Sequence, residues 1–548
     1  MAVHEYIGAR YVPKFMGTWN NTTAYEALSI VDDGLGTSYT SKKPVPAGTA
    51  LTDTEYWAVT GSMSGAIVSL QNRVSFLENE YANVKFYGAV GDGVTDDTQA
   101  FLDAAATGKS IYVPEGSYVV SSPVQLESNT HIFGCGEIID NITNAFGDKR
   151  GVFTINNKDN VTIEGISILG QGHSTGAYDP GCEIYVYDSD QIRLKNITIS
   201  EVKKAYAICF ESSDNIDVEG CYVEKYTQAG ISCINVCNNV MIRNNTLIDV
   251  TGQTSGNTYP IMLNGYDYPI STPQPIGNNL QAIGNFIDNP TAGAYWEGID
   301  AHGGSNIIIA DNVINNCYVG IGIAGSVNFT TNDVMITNNT LRAGSLGSPR
   351  SNINTGITYS YVTRGVINGN VIDGFDKWTT AATPLASGMF LSRCTDVEVC
   401  NNIITNCGQG SGHNTIYISS SQHVDIHGNN MHDNNVSSDV KWTGETEYLK
   451  VHHNTLYDGY PADGATTSSV DPHDIRVWGN DVLYRTENGS GFTPQFANNT
   501  TIANITTGKR SETIEQRDPL SGAPMGYICK SAASAGTPAV WIPLPNIP

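Results

Sequence analysis

The chain has 548 residues and a formal net charge of −25, with 29 Lys and Arg against 54 Asp and Glu. This charge excludes nucleic acid as an expected partner, because phosphate backbones repel an acidic surface that has no basic patch. We also expect no membrane insertion, since no apolar run approaches the roughly 20 residues of a membrane helix and residues 1–10 carry no hydrophobic signal segment. Hydrophobic residues make up 40% of the chain, which excludes a disordered protein.

The chain contains 11 cysteines, an odd number in a long sequence. Most of them lie inside apolar strand patterns, as Cys209, Cys233 and Cys317 do. This placement favours buried free thiols in a reducing compartment over a disulfide framework. Because the sequence has no CxxC pair, we expect no metal and no cofactor.

Residues 1–61 predict a small all-β module, because turn residues separate short segments that are rich in aromatic side chains. Two uses of these aromatic residues stay open. Trp19, Tyr25 and Trp57 are candidates to stack on sugar rings in an attachment or carbohydrate-binding module. We favour the alternative, in which they form the core of a domain too small to bury much else.

Residues 62–84 predict a short coiled-coil helix. Spacings of three and four residues alternate between its apolar side chains, which is the pattern of an a/d seam. A helix this short is marginal alone, so we expect it to self-associate. The alternative is a single helix that packs on its own domain. The apolar seam consists of Ile67, Leu70, Val74, Leu77 and Tyr81.

Residues 85–487 contain a repeated strand pattern. Two apolar residues flank one spacer residue, and a fixed position, here called the slot, lies five residues after the first apolar residue. Successive slots are mostly 24 to 32 residues apart. This period predicts an all-β fold, a parallel β-helix (solenoid), whose coils stack about 4.8 Å apart. Amide side chains that stack in the slot satisfy one another and the turn backbone. The slot holds Ile166, Ile197 and Cys221, then Asn245, Asn285, Asn312, Asn339, Asn370, Asn402, Asn429, Asn454 and Asn480.

One interval is longer than the others. Asn245 and Asn285 are 40 residues apart, and residues 251–279 between them form an insertion rich in Gly, Pro and Tyr. Insertions in a solenoid project from one face, often the binding face. Residues 488–548 lack the repeat, and we expect them to form a β-rich cap or a trimer-closing piece.

Two segments carry a resemblance to known proteins. Residues 84–101, VKFYGAVGDGVTDDTQAF, resemble the opening motif of the pectate-lyase-like superfamily of right-handed β-helices. The resemblance implies a right-handed solenoid and a structural role for the acidic residues of this motif. Residues 24–44 and 53–57 resemble modules at the front of phage tail and host-recognition proteins of Gram-positive hosts.

The order of module, coiled helix, β-helix and β-cap is similar to that of phage tailspikes. This similarity implies a homotrimer that binds, and often cuts, a bacterial cell-surface polysaccharide. It also implies a place on the virion tail, or synthesis in the bacterial cytoplasm from a prophage.

One coil alone carries both an aspartate and a histidine on its outer face. Alignment on the inward Ile299 puts Asp300 and His302 on the same outward face, about 6.5–7 Å apart. Glycoside cleavage needs two carboxyl groups, and Glu297 lies at most ~10 Å from Asp300 along the chain. Strict alternation would put Glu297 on the opposite face, so the chain must turn near Gly298 if the two carboxyls are to cooperate.

Two other acidic residues are alternative second carboxyl groups, Asp267 on the insertion and Glu211 on an earlier coil. We expect aromatic side chains near the carboxyls to contact sugar. These are Tyr295, Trp296, Tyr266, Tyr268 and Tyr359.

The segment from Gly298 to His302 also resembles the Gly-x-Asp-x-His motif of β-helical alginate epimerases, whose Asp and His handle the C5 proton. Glu297 stands where that family has Tyr, and no Lys lies between residues 225 and 377 to neutralise a uronate. Both departures favour an endo-acting glycoside hydrolase. Three alternatives stay open: a lyase or C5-epimerase that uses Asp300 and His302, a non-catalytic receptor-binding spike, and a solvated Asp–His pair without function.

Overall fold

The structure is a computed structural model that divides into two compact units, Met1–Tyr81 and Ala82–Pro548. Among the residues it describes, no helix has the length and apolar character of a membrane span. The described residues are 13–62, 80–143, 149–170, 181–202, 204–249, 258–265, 276–289, 297–326, 328, 331–344, 353–376, 385–408, 414–434, 436, 438–456, 463–465, 476–478, 480–482, 513–515, 526–531 and 540–543.

The first unit contains a small sheet in which each strand pairs with the next along the chain. Its buried core includes Tyr25, Val31, Val45 and Trp57. The rings of Tyr25 and Trp57 meet edge to face, with centroids 5.5 Å apart. These two aromatic side chains are therefore core residues rather than surface platforms. The strands are Lys14–Thr18, Ser29–Asp32, Thr37–Ser41 and Trp57–Ser62.

The coiled-coil helix predicted for residues 62–84 falls mostly on residues 63–79, which lie outside the described residues. Its predicted end is wrong. Tyr81–Asn83 is a strand that pairs with Ser110–Val113. The Asn83 side chain then accepts a hydrogen bond from the Lys85 backbone N–H at 3.0 Å and starts a short 3₁₀ turn. Strand pairing and this cap end any helix before residue 81.

The second unit confirms the predicted right-handed parallel β-helix. Three sheets run along it, here called sheets I, II and III in the order in which each coil visits them. Within the described residues, sheet I has 13 strands and sheet III has 15. Neighbouring coils pair parallel and in register, as Ile299 of sheet I does with Ile261 below it and Ile321 above it.

Sheet I consists of Val124–Gln125, Phe153–Asn156, Cys182–Tyr187, Tyr206–Glu211, Ala229–Ile234, Tyr259–Gly265, Glu297–His302, Val319–Ala324, Ile353–Ser360, Leu385–Ser392, Asn414–Ser419, Ser438–Thr443 and Asp463–Ala465. Sheet III consists of Asp92–Asp96, Ser117–Val120, Glu137–Asp140, Ser167–Gly170, Thr198–Ser200, Tyr222–Glu224, Thr246–Ile248, Phe286–Asp288, Val313–Cys317, Thr340–Ala343, Val371–Asp373, Ile403–Thr405, Asn430–His432, Thr455–Leu456 and Asp481–Val482.

Sheet II contains Ser110–Val113, His131–Gly134, Asp159–Glu164, Asp190–Lys195, Asp214–Glu219, Asn238–Arg243, Asn278–Ile283, Gly304–Ala310, Thr331–Thr337, Val362–Asn368, Thr395–Cys400, Gln422–His427, Lys450–His452 and Arg476–Trp478. From the predicted cap, Thr513–Glu515 adds to it in parallel, and Gly526–Ser531 and Val540–Pro543 follow antiparallel. A trimer-closing role for this end stays a prediction.

One α-helix, Thr98–Ala106, covers the first coils and buries Phe101 against the core. The preceding motif holds its own backbone in place. The buried Asp97 carboxylate accepts hydrogen bonds from the backbone N–H of Val90 at 2.7 Å and of Gly91 at 3.1 Å. These contacts agree with the structural role that the resemblance implies for this motif.

The interior of the solenoid is a continuous column of side chains, dominated by Ile, Val and Leu. Hydrophobic burial of this kind is worth about 25 cal/mol for each Å² of apolar surface removed from water. Among the cysteines that the structure describes, all are free thiols and all but Cys135 are buried. The predicted buried thiols are therefore confirmed for this part of the chain.

An asparagine ladder runs along the turn between sheets II and III. Asn312 shows its bonding: its Nδ2 donates to the Asn339 Oδ1 and to the Ala282 carbonyl oxygen, both at 2.9 Å. Its Oδ1 accepts from the backbone N–H and the Nδ2 of Asn285, at 2.9 and 3.0 Å. The same bonds recur in successive coils from Asn245 to Asn480.

Candidate active site

The strand Glu297–His302 carries the candidate site on the outer face of sheet I. Ile299 and Ala301 are fully buried in the core, as the alternation of a strand requires. Asp300 and His302 therefore lie on the outer face, where the His302 Nε2 is 3.2 Å from the Asp300 Oδ2.

Gly298 changes the alternation at the start of this strand. A Cβ at Gly298 would lie 2.5 Å from the Ile314 Cγ2 and 2.5 Å from the Gly320 carbonyl oxygen, so this position also points inward. Two successive inward positions leave Glu297 and Asp300 on the same face. This is the change of direction that the two carboxyls need in order to cooperate.

The carboxyl groups of Glu297 and Asp300 converge over Gly322, the residue that pairs with Asp300 in the next coil. A Cβ on Gly322 would lie 3.0 Å from the Glu297 Oε2 and 3.1 Å from the Asp300 Oδ1. Both oxygens lie close to one point, so they are at most about 6 Å apart, where like charges perturb each other. The missing side chain of Gly322 provides the space that the two groups share.

Burial raises the pKa of both carboxyl groups. It raises the pKa of Glu297 to about 8, and the neighbouring charge of Asp300 adds to this shift. Burial also raises the pKa of Asp300 to about 7, because its side chain is only 1% exposed. At a pH between these two values the pair therefore holds about one proton.

His302 forms the partly exposed edge of the site, with 23% of its side chain accessible. Burial lowers the pKa of its imidazole below the ordinary value, so the ring is mainly neutral at pH 7. The Tyr259 ring of the previous coil meets it edge to face at 6.3 Å, and the Asn264 Nδ2 donates to the His302 carbonyl oxygen at 2.6 Å. Neither Tyr259 nor Asn264 was among the predicted site residues.

Glu211 is not the second carboxyl group. It lies three coils before Asp300 on the same sheet, about 14 Å away along the axis. Its carboxylate contacts the Lys149 Nζ at 3.0 Å and accepts hydrogen bonds from the Tyr185 hydroxyl and the Asn235 Nδ2, each at 2.8 Å. An ion pair and two hydrogen bonds occupy it, so it does not pair with Asp300.

The predicted sugar contact at Tyr359 is also wrong. Tyr359 is fully buried in the core, because it lies two residues after the inward Ile357 and therefore on the same inner face. Gly365 makes room for its ring, since a Cβ there would come within 2.8 Å of the Tyr359 Cε2. The remaining predicted residues lie outside the described residues: Asp267, Tyr266, Tyr268, Tyr295 and Trp296.

The outer surface above the carboxyls is lined first by small and then by aromatic residues. Gly322 and Thr358 follow Asp300 in the same outward column, and Phe390 and Tyr417 come next. The two aromatic rings are stacked, with centroids 5.5 Å apart and an interplanar angle of 15°. Successive coils are about 4.8 Å apart, so the nearer ring lies about 14 Å from Asp300 along the axis.

Gly322→Ala tests the space between the carboxyls. We expect the fold to survive, because the new methyl group meets only the ends of flexible side chains, at 3.0 and 3.1 Å. The displaced carboxyls should change their mutual pKa shifts and lower any activity of the site by about tenfold or more. Activity and thermal midpoint are measured together, and full activity would show that the two carboxyls do not act as a pair.

Comparisons with known proteins agree with the fold. The preneck appendage protein of Bacillus phage PZA is 26% identical over 297 residues, which cover 49% of this chain and 30% of that protein. The mannuronan C5-epimerase AlgE2 of Azotobacter vinelandii is 47% identical over 66 residues, 10% of this chain and 7% of that protein. This chain spans half or less of the length of the curated relatives it matches.

Among solved structures, the N-terminal fragment of gene product 12 of bacteriophage phi29 superposes with a TM-score of 0.50. The two are 15% identical, and the match covers 79% of this chain and 76% of that one. A family profile described as rhamnogalacturonase A/epimerase, pectate lyase-like, matches residues 81–367. With more than half of its length matched and a parallel β-helix for its main unit, the chain belongs to this pectate lyase-like family.

Proposed function

We propose that this chain is an endo-acting glycoside hydrolase that cleaves a bacterial surface polysaccharide. The observation that carries the proposal is the convergence of Glu297 and Asp300 over Gly322, with raised pKa values that leave one proton on the pair. Glycoside hydrolysis needs one carboxylic acid and one carboxylate beside the scissile bond. A single pair of residues supplies both forms near neutral pH.

Glu297 is the general acid in this proposal. It is partly exposed and has the higher pKa of the two, so it keeps its proton near neutral pH and donates it to the glycosidic oxygen as the bond to the anomeric carbon breaks. Asp300 then acts as the carboxylate, either by removing a proton from the attacking water or by attacking the anomeric carbon itself. Water supplies the new hydroxyl group. When Asp300 is the base, it takes the proton that water loses and passes it to Glu297 within the pair. When Asp300 is the nucleophile, Glu297 takes this proton from water directly.

His302 positions Asp300 in this mechanism. Its Nε2 lies 3.2 Å from the Asp300 Oδ2, and its ring rests against Tyr259. The neutral imidazole lies beside Asp300 and restricts the orientation of its carboxyl group without adding a full charge. His302 and Glu297 are the more exposed members of the site, so substrate would approach from their side.

The surface column above the pair supports binding within a long glycan rather than at its end. Gly322 and Thr358 leave a shallow stretch, and the stacked rings of Phe390 and Tyr417 follow. Aromatic faces suit the apolar faces of sugar rings. A chain laid along the axis would contact these rings several sugar units from the cleaved bond.

The biological setting is part of the proposal. Similarity to preneck appendage proteins of Bacillus phages supports a virion-attached protein that meets a Gram-positive cell surface. We infer a homotrimer from the apolar seam of residues 67–77 and from the tailspike-like order of elements.

The test is digestion of purified surface polysaccharides from Gram-positive bacteria, with chain length, reducing ends and ultraviolet absorbance followed together. Shortening with new reducing ends and no absorbance supports hydrolysis. Shortening with absorbance from a new C4–C5 double bond contradicts it and identifies a lyase. A glycan that binds but is never shortened identifies a receptor-binding spike.

A lyase or C5-epimerase is the second candidate, for a uronate-containing glycan. One observation favours it: Asp300 lies beside a neutral His302 that can take up a proton. In this chemistry a base removes the C5 proton of the uronate. Exchange of solvent deuterium into C5 without chain shortening would identify an epimerase.

The pKa shifts predict the pH dependence of hydrolysis. The rate should rise as Asp300 ionises, with a pKa of about 7, and fall as Glu297 loses its proton, with a pKa of about 8. The maximum of kcat/KM should therefore lie between these values, because this ratio reports the groups of the free enzyme. Initial rates of reducing-end release across this range check it, and an optimum near pH 4 to 5, where ordinary carboxyls titrate, would contradict the shared-proton pair.

A further inference from the structure

A cluster of three metal-binding side chains lies on the outer face of sheet II. Glu398 and Cys400 are two residues apart on the strand Thr395–Cys400, so they share one face of the strand, while Val397 and Val399 fill the core. His427 pairs directly with Cys400 in the next coil. The coil-to-coil register therefore brings a carboxylate, a thiol and an imidazole together.

The three ligand atoms lie within 4.8 Å of one another. The Glu398 Oε1 is 2.8 Å from the His427 Nε2, and both side chains reach the surface, with 48% and 31% of their area exposed. The Cys400 sulfur lies beside them at the base of the cluster, and the residue is only 6% exposed. An ion from solvent could reach the cluster between the two exposed side chains.

We propose that Glu398, Cys400 and His427 form a zinc-binding site. Thiolate, imidazole and carboxylate are the ligands that Zn²⁺ takes in proteins, whereas Mg²⁺ and Ca²⁺ prefer oxygen ligands alone. Three protein ligands leave the fourth tetrahedral position for a water molecule. On binding, Cys400 ligates as a thiolate and its proton passes to solvent.

Zinc binding at this cluster needs only small movements of the three side chains. Ligand atoms around tetrahedral zinc lie roughly 3.3–3.8 Å apart, given bonds of about 2.0–2.3 Å. The Glu398–His427 contact must therefore open by about half an ångström, and the widest pair must close by about 1 Å. The exposed side chains of Glu398 and His427 allow this change without any shift of the paired strands.

A second layer of contacts holds the imidazole in place. The His427 ring stacks on His452 of the following coil, with centroids 5.2 Å apart and an interplanar angle of 9°. The His452 Nε2 is in turn 2.9 Å from the Asp425 Oδ1. Outer contacts of this kind orient the ligands of metal sites. The site would clamp two coils together at the C-terminal part of the solenoid.

The experiment uses the full chain, treated with a chelator and then dialysed against Zn²⁺ or Co²⁺. We expect about one Zn²⁺ per chain by elemental analysis and, with Co²⁺, a sulfur-to-metal charge-transfer band. Cys400→Ser should abolish that band, and both Cys400→Ser and His427→Ala should weaken Zn²⁺ binding by at least about 100-fold. Zn²⁺ should raise the thermal midpoint of the wild type but not that of Cys400→Ser or His427→Ala.

Two variants serve as matched controls. Cys135→Ser removes an exposed thiol that lies many coils away, and His432→Ala removes an imidazole that contacts a carboxylate, Asp433, on sheet III. Both should keep Zn²⁺ binding and the cobalt band. Absence of stoichiometric Zn²⁺ in the wild type overturns the proposal, and so does a cobalt band that survives Cys400→Ser.

Discussion

Glu297→Gln should lower kcat for glycan cleavage by about 10²- to 10⁴-fold, the usual contribution of a general acid. Glutamine keeps the shape and the polar contacts of the side chain but has no proton of the required acidity. Because only the proton transfer is lost, glycan affinity and the thermal midpoint should stay close to those of the wild type. The measurement is single-turnover cleavage of a defined oligosaccharide, compared with equilibrium binding of the same oligosaccharide.

Glu211→Gln is the matched control for this variant. It changes a carboxylate on the same sheet that is occupied by Lys149, Tyr185 and Asn235, so kcat should be unchanged. A second substrate distinguishes the acid role from a binding role. An aryl glycoside with a good leaving group needs no protonation, so Glu297→Gln should cleave it nearly as fast as the wild type does. A loss that is equal for both substrates would refute the assignment of Glu297 as the acid.

Asn312→Ala should be the most destabilising of the substitutions considered. The variant removes the side-chain bonds of Asn312 to Asn285, to Asn339 and to the Ala282 carbonyl oxygen, all inside a fully buried ladder. Buried polar groups that lose their partners cost about 1–3 kcal/mol each. We therefore expect a loss of about 3 to 5 kcal/mol of unfolding free energy, seen as a lower midpoint in thermal or denaturant unfolding.

Asn315→Ala is the control on the same coil. Asn315 is partly exposed, and its Oδ1 accepts a long hydrogen bond of 3.4 Å from the Arg342 Nη1. Surface substitutions of this kind usually change stability by less than about 0.5 kcal/mol. If the two variants unfolded at the same midpoint, the ladder would contribute little, and the core side chains alone would hold the coils in register.

The sequence predicts the solenoid well because its coils repeat. Stacked positions such as Asn312 and Asn339 recur at nearly constant spacing, so period and slot can be read without coordinates. The parts of the chain that do not repeat are harder to predict. The strand at Tyr81–Asn83 is formed by pairing with Ser110–Val113, a contact about 30 residues away that a local heptad pattern does not register.

The candidate site shows the same contrast. Asp300 and His302 stand out because neighbouring coils carry neutral residues in their places. The convergence of Glu297 depends on the inward direction of Gly298, which simple alternation misses. A signal for it exists in the sequence, since glycines precede the inward residue in several coils. Those glycines are Gly230, Gly298, Gly320, Gly356 and Gly388.

Tyr359 and Gly322 illustrate two further limits of prediction from the sequence. Tyr359 was predicted as a sugar contact from its aromatic character, although its parity along the strand is that of Ile357 and points it into the core. The role of Gly322 as the space for two carboxyls becomes visible only with the paired coil in place. Side-chain convergence between coils is a three-dimensional property that residue types alone do not contain.

The asparagine ladder makes the spacing of the coils independent of the length of the connections. Asn245 and Asn285 are separated by 40 residues and Asn312 and Asn339 by 27, yet the amide contacts are 3.0 and 2.9 Å long. The entropy of closing a loop grows only slowly with its length. The loops that connect successive strands can therefore lengthen, shorten or be exchanged while the coils keep their register. In evolutionary terms, such a scaffold separates the part of the sequence that must be conserved for folding from the part that is free to diversify.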